Sequence, residues 1–287
     1  YTLSLHDALP ILKNEKFDFV LIPIPSFYTA LIGPYLHRKT GIKYGIDYVD
    51  PWVHQFPGSE KIFSRHWLST LMAKWLEPKA VKKASLITGV AEGYYEGVIK
   101  RNPQLVSTCL FGAMPYGGEI NDHKNIFQFN ITPYLFNKNK KIKLVYAGAM
   151  LPKAYRLLET FFQFIKSKKS AFENIEFYFI GTGKLANDPN SHKIKQMALK
   201  YELWEKVIYE YPKRIPYLDV LVHLNNCNGV FTLGSTETHY TPSKLYQAVL
   251  SEKPIFAILH KQSTASEIIK ESNVGVVVNF KEEKELE

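Results

Sequence analysis

From residue 17 onward, short apolar runs alternate with longer stretches whose apolar positions recur every three or four residues, the pattern of strands separated by helices. Residues 17–24 (FDFVLIPI) read as a buried strand closed by Pro23, Pro25 and Ser26, and residues 27–38 as a helix broken or kinked at Gly33-Pro34. Residues 43–48 form the next strand, which delivers Asp47, Asp50, Pro51 and Trp52 at its end. A long helix over 64–83 carries Trp67, Leu68, Leu71, Met72, Trp75 and Leu76 on one broad apolar face. Residues 85–90 give a third strand, Glu92-Gly93 opens a helix that ends near Asn102-Pro103, and residues 107–111 give a fourth strand. Residues 119–140 are polar and rich in Asn and Lys, and read as a linker.

The second half repeats this grammar. A strand over 142–147 ends at Gly148, a helix covers 153–166, and a strand over 175–180 ends in Gly181-Thr182-Gly183-Lys184. A helix over 191–203, a short strand over 206–211 and a helix over 217–224 follow. The most sharply written stretch is 229–260. The apolar run Val230-Phe231-Thr232-Leu233 stops at Gly234 and a polar tract containing Ser235, Thr236, Glu237 and His239. A helix then starts with Thr241 as cap, Pro242 in the first turn, and Ser243 and Lys244 immediately after. Leu245, Ala248 and Val249 give it one buried face. Free N–H groups at that helix start, beside Ser243 and Lys244, suit a phosphate-bearing ligand; ordinary capping is the alternative reading. Strands alternating with helices in both halves predict two doubly wound parallel α/β sheets.

Residues 1–11 (YTLSLHDALPI) stand apart. They resemble a translated sequencing-adapter segment more than a signal peptide, because no basic region precedes the apolar run. The expected organisation is a non-native leader over 1–11, an N-terminal domain over 12–118 incomplete at its start, a linker over 119–140, and a C-terminal domain over 141–287 incomplete at its end.

Composition changes this picture only slightly. The chain has 287 residues with 46% hydrophobic content, enough for two ordinary cores, and no apolar run reaches the roughly 18–20 residues of a membrane span. Cys109 and Cys227 form no metal spacing and fit a reducing cytoplasm. A net charge of +9 favours phosphate ligands, anionic headgroups or nucleic acid, although the lysines are spread without long basic blocks. The abundant aromatics lie within strands and on helix faces, so they read as core rather than as base-stacking platforms.

Candidate chemistry follows from the strand ends. Right-handed crossovers place Gly148, Gly181-Thr182-Gly183, Gly234-Ser235-Thr236 and the Ser243-Lys244 helix start along one sheet edge, where open α/β folds bind ligands. Singly, each glycine is an ordinary tight turn. Neither the dinucleotide fingerprint nor a P-loop is present, so a nucleotide would be held without them. Asp47 and Asp50 can orient or deprotonate an acceptor hydroxyl, or Asp50 can cap a helix beginning at Pro51, with Trp52 as core. Among His37, His54, His66 and His239, the last sits in the loop that opens onto the proposed site. No cluster has metal-ligand spacing, and no Gly-x-Ser-x-Gly elbow occurs.

The segments YAGAMLPKAYRLLETFF (146–162), FIGTG (179–183), RIPYLDVLVHL (214–224), TPSKLYQAVLSEKPIFA (241–257) and GIDYVDPW (45–52) together resemble the GT-B glycosyltransferases, and within them the family 4-like enzymes of bacterial polysaccharide and glycolipid assembly. The resemblance implies two Rossmann-like domains facing a cleft, a nucleotide-sugar donor on the second and a glycan or lipid-linked acceptor on the first. It implies retention of configuration, no cofactor and no metal, basic side chains taking the metal's place. Carried over by position, Gly148 and Lys153 lie near the diphosphate, and Gly181, Gly183, Ser235, Thr236, His239 and Thr241 are further expected donor- and nucleotide-binding residues. Ser243 and Lys244 hold phosphate, Glu237 contacts the donor sugar, and Asp47 or Asp50 serves the acceptor. The second glutamate of the family's pair is replaced by Gln247, which can still hydrogen-bond a ribose hydroxyl. The usual arginine of the first glycine loop is absent unless Lys153 or Arg156 replaces it. The resemblance places the protein in the cytoplasm, peripheral to the inner membrane face, with an anionic membrane surface as a further partner and no nucleic acid. Two other readings are a catalytically impaired nucleotide-sugar-binding subunit, for which Gln247 is the best evidence, and a nucleotide-sugar epimerase, which calls for more carboxylates and histidines.

Overall fold

A computed structural model describes residues 10–12, 14–24, 26–53, 61–183, 191–236 and 242–281. They divide into two units, Tyr1–Pro115 and Tyr116–Glu287.

The first unit is built on a parallel sheet of β1 (Phe19–Pro23), β2 (Lys43–Tyr48), β3 (Leu86–Gly89) and β4 (Leu110–Ala113), in the order β1-β2-β3-β4. The apolar β2 is its centre, with Tyr44, Ile46 and Tyr48 fully buried. β1 was expected to be buried, but it is an edge strand among the described residues and exposes Phe19 and Leu21. Residues 103–107, the last of which was expected to begin β4, instead make a 3-10 turn that starts at Pro103, so the strand begins later. The Gly33-Pro34 pair does not break a helix. A 3-10 turn over Phe27–Leu31 runs into α1 (Ile32–Thr40), with Pro34 in the first turn, where a missing N–H costs nothing. Gly33 is there for space: a Cβ would run into the Tyr44 ring.

Helix α2 (Arg65–Val81) starts where Ser64 Oγ accepts from the Trp67 amide at 3.0 Å, an ordinary N-cap. Its buried face keeps Leu76 from the predicted one but is otherwise different. Ala73, Leu76, Glu77, Ala80 and Val81 are buried, whereas Leu68, Leu71, Met72 and Trp75 are exposed. Small residues let the helix lie close to the sheet. Glu77 can join them because Arg101, at the end of α3 (Glu92–Arg101), donates to both its oxygens at 2.7 and 2.8 Å, a bidentate pairing that meets the needs of a buried carboxylate.

The second unit holds six parallel strands in the order β10-β9-β8-β5-β6-β7. They are β5 (Ile142–Ala147), β6 (Ile175–Ile180), β7 (Ile208–Tyr211), β8 (Gly229–Leu233), β9 (Ile255–His260) and β10 (Gly275–Phe280). Alternation within the strands feeds two cores, one on each face. Tyr146, Phe177, Phe179, Phe231 and Ile258 face α5 (Tyr155–Ser167), while Val145, Tyr178, Ile180, Val230 and Leu259 face the other layer. That layer contains α8 (Tyr217–Asn226), α9 (Lys244–Leu250) and α10 (Thr264–Glu271); α4, α6 and α7 span Ile120–Asn125, Lys169–Phe172 and Lys193–Lys200.

Residues 119–140 are not a free linker. Ile126 is buried in the second core, and Ile131, Leu135 and Phe136 pack against it. His223 fixes this segment: its Nδ1–H donates to the Asp219 carbonyl at 2.7 Å, and its Nε2 accepts from the Leu135 amide at 3.2 Å. Among the described residues, no helix is long and apolar enough to cross a membrane.

Candidate functional site

The strand order of the second sheet reverses between β5 and β8. β6 and β7 extend it one way, β9 and β10 the other, which makes the carboxyl ends of β5 and β8 a topological switch point, where open α/β sheets hold ligands. β5 ends at Gly148, with φ +118°, and neighbouring β6 ends at Gly181, with φ +72°, conformations that glycine adopts without strain. Their turns are joined. The Gly148 amide donates to the Ile180 carbonyl at 2.7 Å, and the Gly181 amide to the Tyr211 carbonyl at 2.7 Å. A Cβ on Gly181 would lie 3.8 Å from both the Gly148 and Arg214 Cα atoms.

Lys244, at the start of α9, reaches over this turn. Its Nζ donates to the Ala149 carbonyl at 2.7 Å and to the Tyr146 hydroxyl at 2.9 Å, and it lies 4.5 Å from the Tyr146 ring centroid. Any Cβ on Gly148 would collide with the Lys244 side chain, so the glycine is required by space as well as by φ. Burial, reinforced by the charge of Arg214, pushes the Lys244 ammonium down to about 7. Two cations are thus held near each other. Such an arrangement favours an added anion.

Beside Lys244 opens a cavity of about 150 Å³, lined mainly by apolar side chains including Tyr146, Val220, Phe231 and Pro242, with Gln247 and Tyr217 as further polar members. Its volume suits a ring-sized group rather than a whole drug-sized ligand.

Gln247 is held from below. Asn225 Nδ2 donates to His123 Nδ1 at 3.0 Å, which leaves the proton on Nε2 to bond Gln247 Oε1 at 2.7 Å. The Tyr217 hydroxyl donates to Asp122 Oδ2 at 3.0 Å. On the other side of the glycine turns, buried Glu210 accepts from the Thr182 hydroxyl at 2.9 Å and from the Lys195 amide at 2.8 Å. Burial holds the Glu210 carboxyl above the usual carboxylate range. It fixes the turn after β6 and fills the start of α7 with the protein's own acid.

No family model matches the chain. Over 121 residues it is 28% identical to the probable glycosyltransferase WbjE of Pseudomonas aeruginosa, covering 39% of this chain and 26% of that protein. The N-terminal domain of Candida albicans trehalose-6-phosphate phosphatase superposes with a TM-score of 0.68 at 14% identity, over 96% of this chain and 62% of that one. The UDP-forming α,α-trehalose-phosphate synthase of Burkholderia xenovorans gives 0.67 at 12% identity, over 98% and 67%. Anabaena Alr3699/HepE in complex with UDP-glucose gives 0.62 at 17% identity, over 97% and 69%. The chain has the GT-B fold. It spans about a quarter of the curated relative it matches and less than two thirds of the first of these structures.

Within this GT-B chain, Gly148, Gly181 and Lys244 come together around the switch point, Gln247 shares the cavity with Lys244, and the Gly183 amide instead donates to the Pro212 carbonyl at 2.9 Å, on the β7 side. Lys153 lies half-buried just beyond, in a 3-10 turn over Pro152–Ala154, with Arg156 exposed on α5. Ser235 is buried and Thr236 half-buried after β8. Glu237, His239, Thr241 and His54 lie outside the described residues. The expected phosphate site at a helix end changes character: α9 has seven residues, and Ser243 is itself helical and makes no side-chain cap. Lys244 and Arg214 place positive charge beside it.

In the first unit, Asp47 is buried at the end of β2 and its Oδ1 accepts from Thr88 Oγ1 at 2.7 Å. Asp50 is exposed in the following bend, and residues 51–53 are not helical, so it caps no helix starting at Pro51. Trp52 is buried and stacks on Phe27 at 6.0 Å, as the core reading expected. His37 Nδ1–H bonds the Ile42 carbonyl at 2.9 Å, and His66 is exposed on α2. Sequence reasoning missed Arg214, His123 and Glu210. Arg214 was within reach, as the first residue of the 214–224 segment.

Proposed function

We propose that the chain is a glycosyltransferase that moves a sugar from a nucleotide-diphosphate sugar to a glycan or lipid-linked acceptor, with retention of configuration and without a metal. The observation that carries this reading is the convergence of Lys244 and Arg214 on the paired glycine turns at the switch point. The donor diphosphate lies at the Gly148 and Gly181 turns against the Lys244 side chain, and the cavity beside Lys244 takes an adjoining ring. When the bond from the sugar's anomeric carbon to the phosphate oxygen breaks, the leaving nucleoside diphosphate gains negative charge. The two cations stabilise it in place of a metal ion. The acceptor hydroxyl supplies the new bond, and its proton passes to a base. Asp47 is buried at the end of β2, whereas Asp50 is exposed in the bend that follows, and it is Asp50 that we assign to acceptor contact. Glu237, Ser235, Thr236, His239, Thr241, Ser243 and Lys153 complete the donor side of this proposal.

One observation favours a second reading, a nucleotide-sugar-binding subunit without turnover. The position of the second glutamate is neutral Gln247, and its Oε1 already accepts from His123. Turnover separates the two. HepE was solved with UDP-glucose, so UDP-sugars are tested first, then GDP- and ADP-sugars, each with and without EDTA. The transferase reading expects nucleoside diphosphate release from one donor, unaffected by EDTA and reduced at least about tenfold in Arg214→Ala, since a charged hydrogen bond contributes ~1.5–3 kcal/mol. Donor binding with no release assigns the subunit role instead. Release that Arg214→Ala leaves intact puts the site elsewhere.

A further inference from the structure

We propose that His123, set by Asn225, is a positioning residue that turns the Gln247 amide so that it offers N–H donors, not an acceptor, to a ligand in the cavity beside Lys244. The inference rests on the nucleotide-sugar reading of that cavity and holds for the transferase and the subunit alike. The direction of the chain of hydrogen bonds is fixed by a group that has no choice. Asn225 Nδ2 lies 2.9 Å from the Leu221 carbonyl, which can only accept, so this end of the side chain is the NH2 group. Its other hydrogen goes to His123 Nδ1 at 3.0 Å, which is therefore the unprotonated nitrogen. The neutral ring then carries its proton on Nε2, and the Gln247 atom that meets it at 2.7 Å is the carbonyl Oε1. An imidazolium would aim an N–H at the Asn225 NH2 group, and the Leu221 carbonyl keeps that group from turning over. His123 is only 4% exposed, so its two protein partners decide the tautomer.

With its oxygen held by His123, Gln247 has only its nitrogen left to offer. That side of the amide faces the Tyr217 hydroxyl. Burial and Asp122 push this hydroxyl up, and the Gln247 amide acts the other way, as an N–H does and a carbonyl does not. Tyr217 passes its own proton to Asp122 Oδ2 at 3.0 Å, so its oxygen is free to accept. Tyr217 and Gln247 both line the cavity. One polarity thus runs from a backbone carbonyl of α8, through His123 of α4, to Gln247 of α9 and the ligand space. A glutamate at 247 would meet the same His123 N–H with one oxygen and present the other to the cavity, reading a hydroxyl or N–H on the ligand. Gln247 reads the opposite, an oxygen or ring nitrogen that accepts. Most of the remaining lining is apolar, so a ligand acceptor deprived of that N–H would be left unpaired. The residue at 247 therefore inverts the polarity of a contact and does not remove it.

The test joins a spectroscopic and a binding measurement on the intact chain. Long-range proton–nitrogen correlation spectra of the histidine rings report the tautomer, with the His123 signals assigned by their loss in His123→Gln. The wild type is expected to show a neutral His123 ring protonated on Nε2. Calorimetry with UDP, GDP and ADP then identifies the diphosphate that binds. Gln247→Met is expected to bind it roughly three- to tenfold more weakly, and Gln247→Glu more weakly still, because its outer oxygen faces an acceptor. His123→Phe keeps a ring without the donor and should lose about as much as Gln247→Met, with no further loss when the two are combined. His123→Gln, whose amide can donate to Gln247 Oε1, should bind better than His123→Phe. A ring protonated on Nδ1 overturns the proposal and leaves the donor reading in place, as does Gln247→Glu binding as well as wild type or better, or losses that add in the double variant. Wild type that binds none of the three diphosphates contradicts the donor reading itself and overturns the proposal with it.

Discussion

Lys244 is under opposed influences, because burial and Arg214 disfavour its charge while the Tyr146 ring face and two oxygen acceptors favour it. A diphosphate would settle the balance toward the ammonium. With its pKa near 7, the free protein holds this proton only partly at neutral pH. Donor binding is then expected to take up about half a proton at pH 7 and almost none near pH 5, where the ammonium is already formed. Calorimetry with a nucleotide sugar in buffers of different ionisation enthalpy measures that uptake, and Lys244→Met should abolish it. An uptake that survives in the variant would assign the proton to another group. Gly148 is the partner of this lysine. Gly148→Ala must adopt a strained φ and displace the Lys244 side chain. It should lose about 1–2 kcal/mol or more and melt roughly 2–8 °C lower, with donor binding lost as well. A variant that melts and binds like wild type would remove Gly148 from the site. Gly148 and Lys244 were legible because they sit where a strand ends and a helix begins. Arg214, His123 and Glu210 were not. Each is a single polar residue whose importance depends on which strand lies beside it, and no periodicity along the chain encodes that.

The elements show where patterns of apolar residues suffice and where they mislead. In α5, Leu157, Leu158, Phe161, Phe162 and Ile165 all go into the core, because the helix offers only one apolar face. α2 offers two, a wide stripe of large residues and a narrow one of alanines, and close packing against the sheet selects the narrow one. Residues 119–140 read as a linker because their composition is polar, yet a few side chains decide their place: Ile126, Leu135 and Phe136 on the core, and His223 beneath them. That histidine makes the attachment sensitive to acid. Burial lowers its pKa below the ordinary value, so the folded segment requires the neutral ring. As pH falls below about 6.5, the unfolded chain takes up a proton that the folded one refuses, and stability is lost. The protection factor of the Leu135 amide, measured by hydrogen exchange between pH 7.5 and 5, should fall in the wild type and stay flat in His223→Gln. Equal behaviour of the two would show that the segment is held by packing alone.

At the scale of the molecule, the alternation of strands and helices gave both parallel sheets, since continuous apolar runs of five or six residues have few other places to go. Strand order was harder to read. The reversal between β5 and β8 comes from crossover geometry, and it is this reversal that turns separate glycine turns into one site. The chain's basic charge is not a diffuse property either, because part of it converges at Lys244 and Arg214 and part frames the exposed stripe of α2. The proposed donor site depends on the first of these. Its most direct test is titration calorimetry of the intact chain with UDP, GDP and ADP, repeated on Lys244→Ala. One diphosphate is expected to bind the wild type and to bind the variant at least about tenfold more weakly, a loss of ~1.4 kcal/mol or more, with the circular dichroism spectrum unchanged. No binding by any of the three, or equal binding by wild type and Lys244→Ala, would contradict a donor site at the switch point.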